Sequence, residues 1–120
     1  MKDRRLVPLA LVAALAAACT SPAQKPSAEV VEIAAMAPLK HKYSDVVMGF
    51  DVHPPSTLVV SVDLQSYIDT DDDTLGAMRR DALARWRAAW IAAHPHAHAT
   101  LHVRFIDFIG RKVATESTTV

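Results

Sequence analysis

Hydrophobic and polar positions alternate strictly over two neighbouring stretches in the middle of the chain. Across residues 45–53, Val46, Met48, Phe50 and Val52 fall on one side, and Val47, Gly49, Asp51 and His53 on the other. A period of two predicts a strand with one buried face. Pro54-Pro55-Ser56 breaks the pattern and allows a reversal. Alternation resumes over 57–67, with Leu58, Val60, Val62 and Leu64 inward and Val59, Ser61, Asp63 and Gln65 outward. The two stretches predict an antiparallel hairpin.

The period then changes. Over 72–93, Leu75, Met78, Ala82, Trp86, Ala89, Trp90 and Ala93 recur every three or four residues, which predicts one long helix with one apolar stripe. Arg79, Arg80, Arg85 and Arg87 lie mostly off that stripe, and Asp81 and Arg85 are spaced for an i,i+4 pair. His94-Pro95 ends the helix, because the residue before proline avoids the α region. Residues 100–109 alternate again, with Leu101, Val103 and Phe105 inward and His102 and Arg104 outward. Asp107 falls on the apolar phase, which predicts a bulge or bend across 107–110. After Gly110-Arg111, residues 112–120 fit a fourth strand.

The order β-β-α-β(-β) predicts an α+β fold. It is a small two-layer sandwich, with a mainly antiparallel sheet and one long helix packed on one face. The strand after the helix runs parallel to the strand before it. Set beside the first strand instead, it would have only antiparallel neighbours, so strand order stays open. Trp86 and Trp90 anchor the helix on the sheet. The other face is polar: Asp51, His53, Ser61, Asp63, Gln65, His102 and Arg104.

The N-terminal pattern is of another kind. Residues 1–5 are short and basic, residues 6–18 are apolar, and Ala16-Ala17-Ala18 leads into Cys19. The apolar stretch is too short for a spanning helix, which needs about 20 residues. This segment resembles the type II signal peptide of bacterial lipoproteins, with a lipobox at Ala16-Ala17-Ala18-Cys19. Ala16 stands where the commonest lipobox has leucine, and permissive versions accept it. The resemblance implies a diacylglycerol on the Cys19 sulfur, cleavage before it, and acylation of the new amine. Thr20 follows where some bacteria place the Asp of inner-membrane retention, so the implied address is the outer membrane, facing the periplasm. Two or three acyl chains anchor stably where one is marginal. The expected organisation is a signal peptide over 1–18, a lipid-anchored flexible tether over 19–38 and a single domain over 39–120. The tether carries Ser21-Pro22, Lys25-Pro26-Ser27 and Ala37-Pro38. Residues 30–36 are more apolar and fit either a short helix or an early strand.

Composition narrows the function. The chain has 120 residues, enough for one domain. Its 13 basic and 13 acidic side chains cancel. Removing Lys2, Arg4, Arg5 and Asp3 with the leader leaves 10 basic and 12 acidic, a net charge of −2. That excludes the basic excess expected of a nucleic-acid binder. The single cysteine excludes an internal disulfide framework, and lipidation of Cys19 accounts for it.

Three groups are candidates for chemistry. His94, His96 and His98, with His102 beyond, offer imidazoles. His96, His98 and His102 share a face in an extended chain, which makes them the candidate metal ligands. Their spacing matches no zinc motif, and a helix-to-strand loop favours solvated side chains. Asp69, Asp71, Asp72 and Asp73 precede the helix, without the Gly and Glu of a calcium loop, and fit helix capping. Asp51, His53, Asp63, His102 and Arg104 on the polar face form the candidate partner-binding surface. No nucleophile sits in a recognisable frame, and three glycines make no phosphate loop. The expectation is a membrane-anchored envelope lipoprotein without enzymatic activity or cofactor. Its domain would bind an envelope protein or peptidoglycan-associated component, and not nucleic acid. The alternative is a small periplasmic metal-binding lipoprotein that uses the segment from His94 to His102.

Overall fold

Three of the four described helices open on a residue whose side chain accepts from a free backbone N–H. The computed structural model describes residues 27–120. Ser27 opens α1 (Ala28–Ala34), its side chain accepting from the Val30 N–H at 3.3 Å. A second short helix, α2 (Ala37–Lys42), follows with Pro38 in its first turn, where a missing N–H costs nothing. The chain then forms β1 (Val47–His53) and β2 (Thr57–Val62), a one-and-a-half-turn helix α3 (Leu64–Asp69), and the long helix α4 (Asp72–Ala93). Two strands close the domain, β3 (Thr100–Ile106) and β4 (Lys112–Thr119).

The four strands form one sheet in the order β1-β2-β3-β4. β1 pairs antiparallel with β2 and β3 antiparallel with β4, while β2 and β3 run parallel. The sheet is therefore mixed. Of the two orders the sequence left open, the chain places β3 beside β2 rather than beside β1. A parallel neighbour needs a long crossover, and α3 and α4 supply it.

One face of the sheet carries the core. Leu58, Val60, Val62, Leu101, Val103 and Phe105 meet Leu75, Met78, Ala82, Trp86 and Trp90 of α4. Burying one tryptophan removes roughly 150–250 Å² from water, worth about 4–6 kcal/mol as an upper bound. Both indole N–H groups are satisfied. Trp86 Nε1 donates to the Ser56 carbonyl at 3.1 Å and Trp90 Nε1 to the Pro55 carbonyl at 3.2 Å. The β1–β2 turn and the helix are thereby tied together. Asp71 caps α4 by accepting from the Thr74 N–H at 2.9 Å, and Asp72 and Asp73 sit in its first turn.

Four expectations change. The Cys19 lipobox and the first part of the tether lie outside the described residues. From Ala28 onward, however, the expected tether is folded: Met36, Leu39 and Glu32 are buried against the body. Met36 and Leu39 cover the part of the sheet that α4 does not reach, so residues 28–38 belong to the folded unit, which was expected to begin only at residue 39. The second predicted strand stops at Val62, because Asp63 caps α3 by accepting from the Ser66 N–H at 2.8 Å. A bulge in β1 places Met48 as an extra residue between the Val47–Val62 and Gly49–Ser61 pairs. Val46 and Val47 therefore both reach the core, and Met48 points to solvent. Finally, Asp81 pairs with Lys42 Nζ at 3.1 Å and accepts from the Tyr43 hydroxyl at 3.2 Å instead of pairing with Arg85.

Candidate functional site

The face of the sheet away from the helices is built from alternate residues in register. One row runs His53, Thr57, His102, Ser117 and the next Asp51, Val59, Arg104, Thr115. His53 Nε2 lies 3.1 Å from Asp51 Oδ2, and His102 Nδ1 lies 2.9 Å from the Ser117 hydroxyl. Four of the five expected partner-binding residues, Asp51, His53, His102 and Arg104, thus share one surface. Asp63 does not belong to it, since its carboxylate is spent on the α3 cap. The two histidines flank Thr57 and stand two strand spacings apart, roughly 9–10 Å. Each ring is turned to its own partner, Asp51 or Ser117, rather than to the other histidine.

The other candidate histidines do not converge either. His94 ends α4 and stacks on Trp90, with ring centroids 4.5 Å apart. His96 has a φ of 69° in the following turn. His98 Nδ1 lies 3.2 Å from the Val120 carbonyl, while His102 turns to Ser117. His96, His98 and His102 therefore each go a separate way. Among the described residues, no three His, Cys, Asp or Glu side chains come together in a way that would hold a metal.

The most unusual surface lies elsewhere, at the end of the sheet where β2 and β3 finish. Met48, Val62, Leu64, Ile68 and Phe108 line an open cleft of about 450 Å³, with Asp63 and Gln65 at its polar edge. Met48 is 56% exposed, Ile68 65%, Phe108 89% and the adjoining Ile109 58%. Large apolar side chains this open cost hydration free energy unless something covers them. Three local structures put them there: the β1 bulge, the α3 turn and the β3–β4 turn.

That last turn is built on Asp107. β3 ends at Ile106, and Asp107 takes the next inward position with only 2% exposure. Its carboxylate accepts from the N–H groups of Ile109 at 3.1 Å and Arg111 at 2.9 Å, and from Arg111 Nε at 2.9 Å. Burial alone would raise this carboxyl. The Arg111 backbone and guanidinium, with the Ile109 N–H, outweigh it and hold the carboxyl below its ordinary range. Gly110, at φ 86°, closes the turn in the left-handed region. The bend expected at 107–110 is present, and it is what thrusts Phe108 and Ile109 outward.

Sequence reasoning missed this cleft: it expected the bend at 107–110, but not that the bend would turn Phe108 and Ile109 out to solvent. One signal was available: two large apolar residues beside Gly110-Arg111, where a turn calls for polar ones. No family model, curated protein or solved structure matches the chain.

Proposed function

We propose that this chain is a lipid-anchored envelope lipoprotein whose α+β domain acts as a non-enzymatic binding or assembly module. Its docking surface is the cleft of Met48, Ile68 and Phe108. The exposed apolar rim of that cleft is the observation that carries the reading. Its position adds support. At the N-terminal end of the described residues, Ala28 lies beside Pro54 and Pro55, at the opposite end of β1 from Met48. About six residues of strand separate the two ends, roughly 20 Å. A domain held by its N-terminus would thus present the cleft away from the anchor. None of the described helices is long and apolar enough to cross a membrane, so attachment in this reading falls to Cys19. The partner is an envelope protein that offers an apolar segment.

Photo-crosslinking in cells tests this. A crosslinker at Phe108 should give a discrete adduct, whereas one at Thr115 on the polar face should not. Equal labelling from both positions, or none from Phe108, would reject the cleft as a docking surface.

A further inference from the structure

A second pocket lies at the other end of the sheet, where α1 crosses the β1–β2 turn and the end of α4. It has a volume of about 290 Å³. That is at the low end of small-ligand sites, which run from roughly 300 Å³ upward. Pro54, Pro55 and Trp90 form apolar walls, and Glu29, Glu32 and His94 bring charge. Glu32 is unusual among them. Its side chain is 2% exposed, yet among the described residues it makes no hydrogen bond. His94 Nδ1 lies 3.8 Å from Glu32 Oε1, and is already 3.1 Å from the Trp90 carbonyl. A carbonyl only accepts, so Nδ1 carries the proton and donates it there rather than to Glu32.

A buried carboxylate without a donor is expensive. The surroundings specify what would satisfy it. With both carboxylates ionised, the pocket is net negative whether or not the imidazole is protonated, which excludes an anionic ligand. A purely apolar ligand would bury Glu32 further and give it no donor. The walls of Pro54, Pro55 and Trp90 suit an aliphatic stem. We propose that this pocket binds an ammonium group carried on a short aliphatic stem, as in a lysyl side chain or a free alkyl diamine. The ammonium donates to Glu32, with Glu29 at the mouth adding attraction. Among the described residues, the titratable groups of the lining are Glu29, Glu32 and His94, and the β1–β2 turn contributes none. Raising the pH ionises Glu32, whose carboxyl is held above its ordinary range by burial, and that strengthens the binding of a cation.

Titration of the full chain in detergent, followed by NMR at the two indole N–H groups, tests the site. The probes are 1,5-diaminopentane, the peptide Gly-Lys-Gly, and the same peptide acetylated on its lysine. The Trp90 indole should shift saturably with at least one of the two amines, at roughly millimolar concentration. The Trp86 indole, buried on the same helix, should stay unmoved. Binding by both amines assigns the site to ammonium groups in general, and binding by one alone identifies the source. Affinity should rise as the pH is raised through the titration of Glu32. Glu32→Gln should weaken binding by about tenfold or more. No saturable shift, equal binding of the acetylated peptide, or unchanged affinity in Glu32→Gln would overturn the proposal. The acetylated peptide needs no substitution, so that comparison stands even where Glu32→Gln disturbs α1.

Discussion

Two acidic residues are buried in this domain, and their surroundings push them in opposite directions. Asp107 has three donors around it and stays ionised. Its folded value lies below the ordinary 3.8, so the stabilisation it brings is present above that value and is lost as the pH falls through the folded one. Asp107→Ala should lower the urea midpoint. It should also speed amide exchange at Ile109 and Arg111 by about tenfold or more, because their N–H groups lose their acceptor. Unchanged exchange there would show that the turn holds itself without the carboxylate. Glu32 is the reverse case. Burial raises its carboxyl above the ordinary 4.5, His94 opposes that, and Glu29 adds to it. The neutral acid is the better-tolerated buried form, so docking of α1 is strongest at low pH and weakens as the pH rises through the raised value. Hydrogen exchange of α1 across that range should show the trend, and Glu32→Gln should flatten it. A variant with the same pH profile as the parent would mean that Glu32 does not control α1. Asp107 was legible in the sequence as an acid on an apolar phase. Glu32 was not: residues 30–36 read as more apolar, but nothing in them showed that a carboxylate would be the one covered.

Among the elements, α4 was the most legible. Its bounds follow from Asp71 at one end and His94-Pro95 at the other, and its stripe is the buried one. Twenty-two residues give the period enough repeats to stand out. The weak point inside it is Gly76. A Cβ there would meet only the tip of the Arg80 side chain, at 3.2 Å, and that tip can swing away. Gly76→Ala should therefore stabilise the domain by about 0.5–1 kcal/mol, read from the denaturation midpoint. A loss of stability would show that Arg80 is held more firmly than an extended side chain should be. The short elements were harder to read. In α3, Leu64 and Gln65 continue the alternation of β2, and one aspartate cap outweighs that pattern. In α1 and α2, prolines within the 19–38 segment suggested an extended chain. Pro38 instead sits in a first helical turn, where it is harmless.

For the whole molecule, the central question is where the domain is held and what it meets. If Cys19 carries the lipid, Cys19→Ala should move the protein from the membrane fraction to the soluble one. Retention in membranes would remove the anchor from the proposed function. Because residues 28–42 already belong to the folded unit, at most a short stretch separates it from Cys19. Eight residues at roughly 3.3 Å each span at most about 26 Å. The domain would then work close to its membrane, with less reach than a tether running to residue 38 would give.

The sequence by itself determined the α+β class, the hairpin, the long helix and its buried stripe, and the inward set Leu101, Val103 and Phe105. These depend on periods of two and 3.6, and periodicity is a local property of the chain. The tertiary structure decided the rest. It placed β3 beside β2, folded residues 28–42 over the core, and brought Glu32 to His94 across more than sixty residues of sequence. It also gathered Met48, Ile68 and Phe108 from a bulge, a short helix and a turn into one cleft. None of these is written as a period. Each depends on which surface remains uncovered once the regular elements have packed.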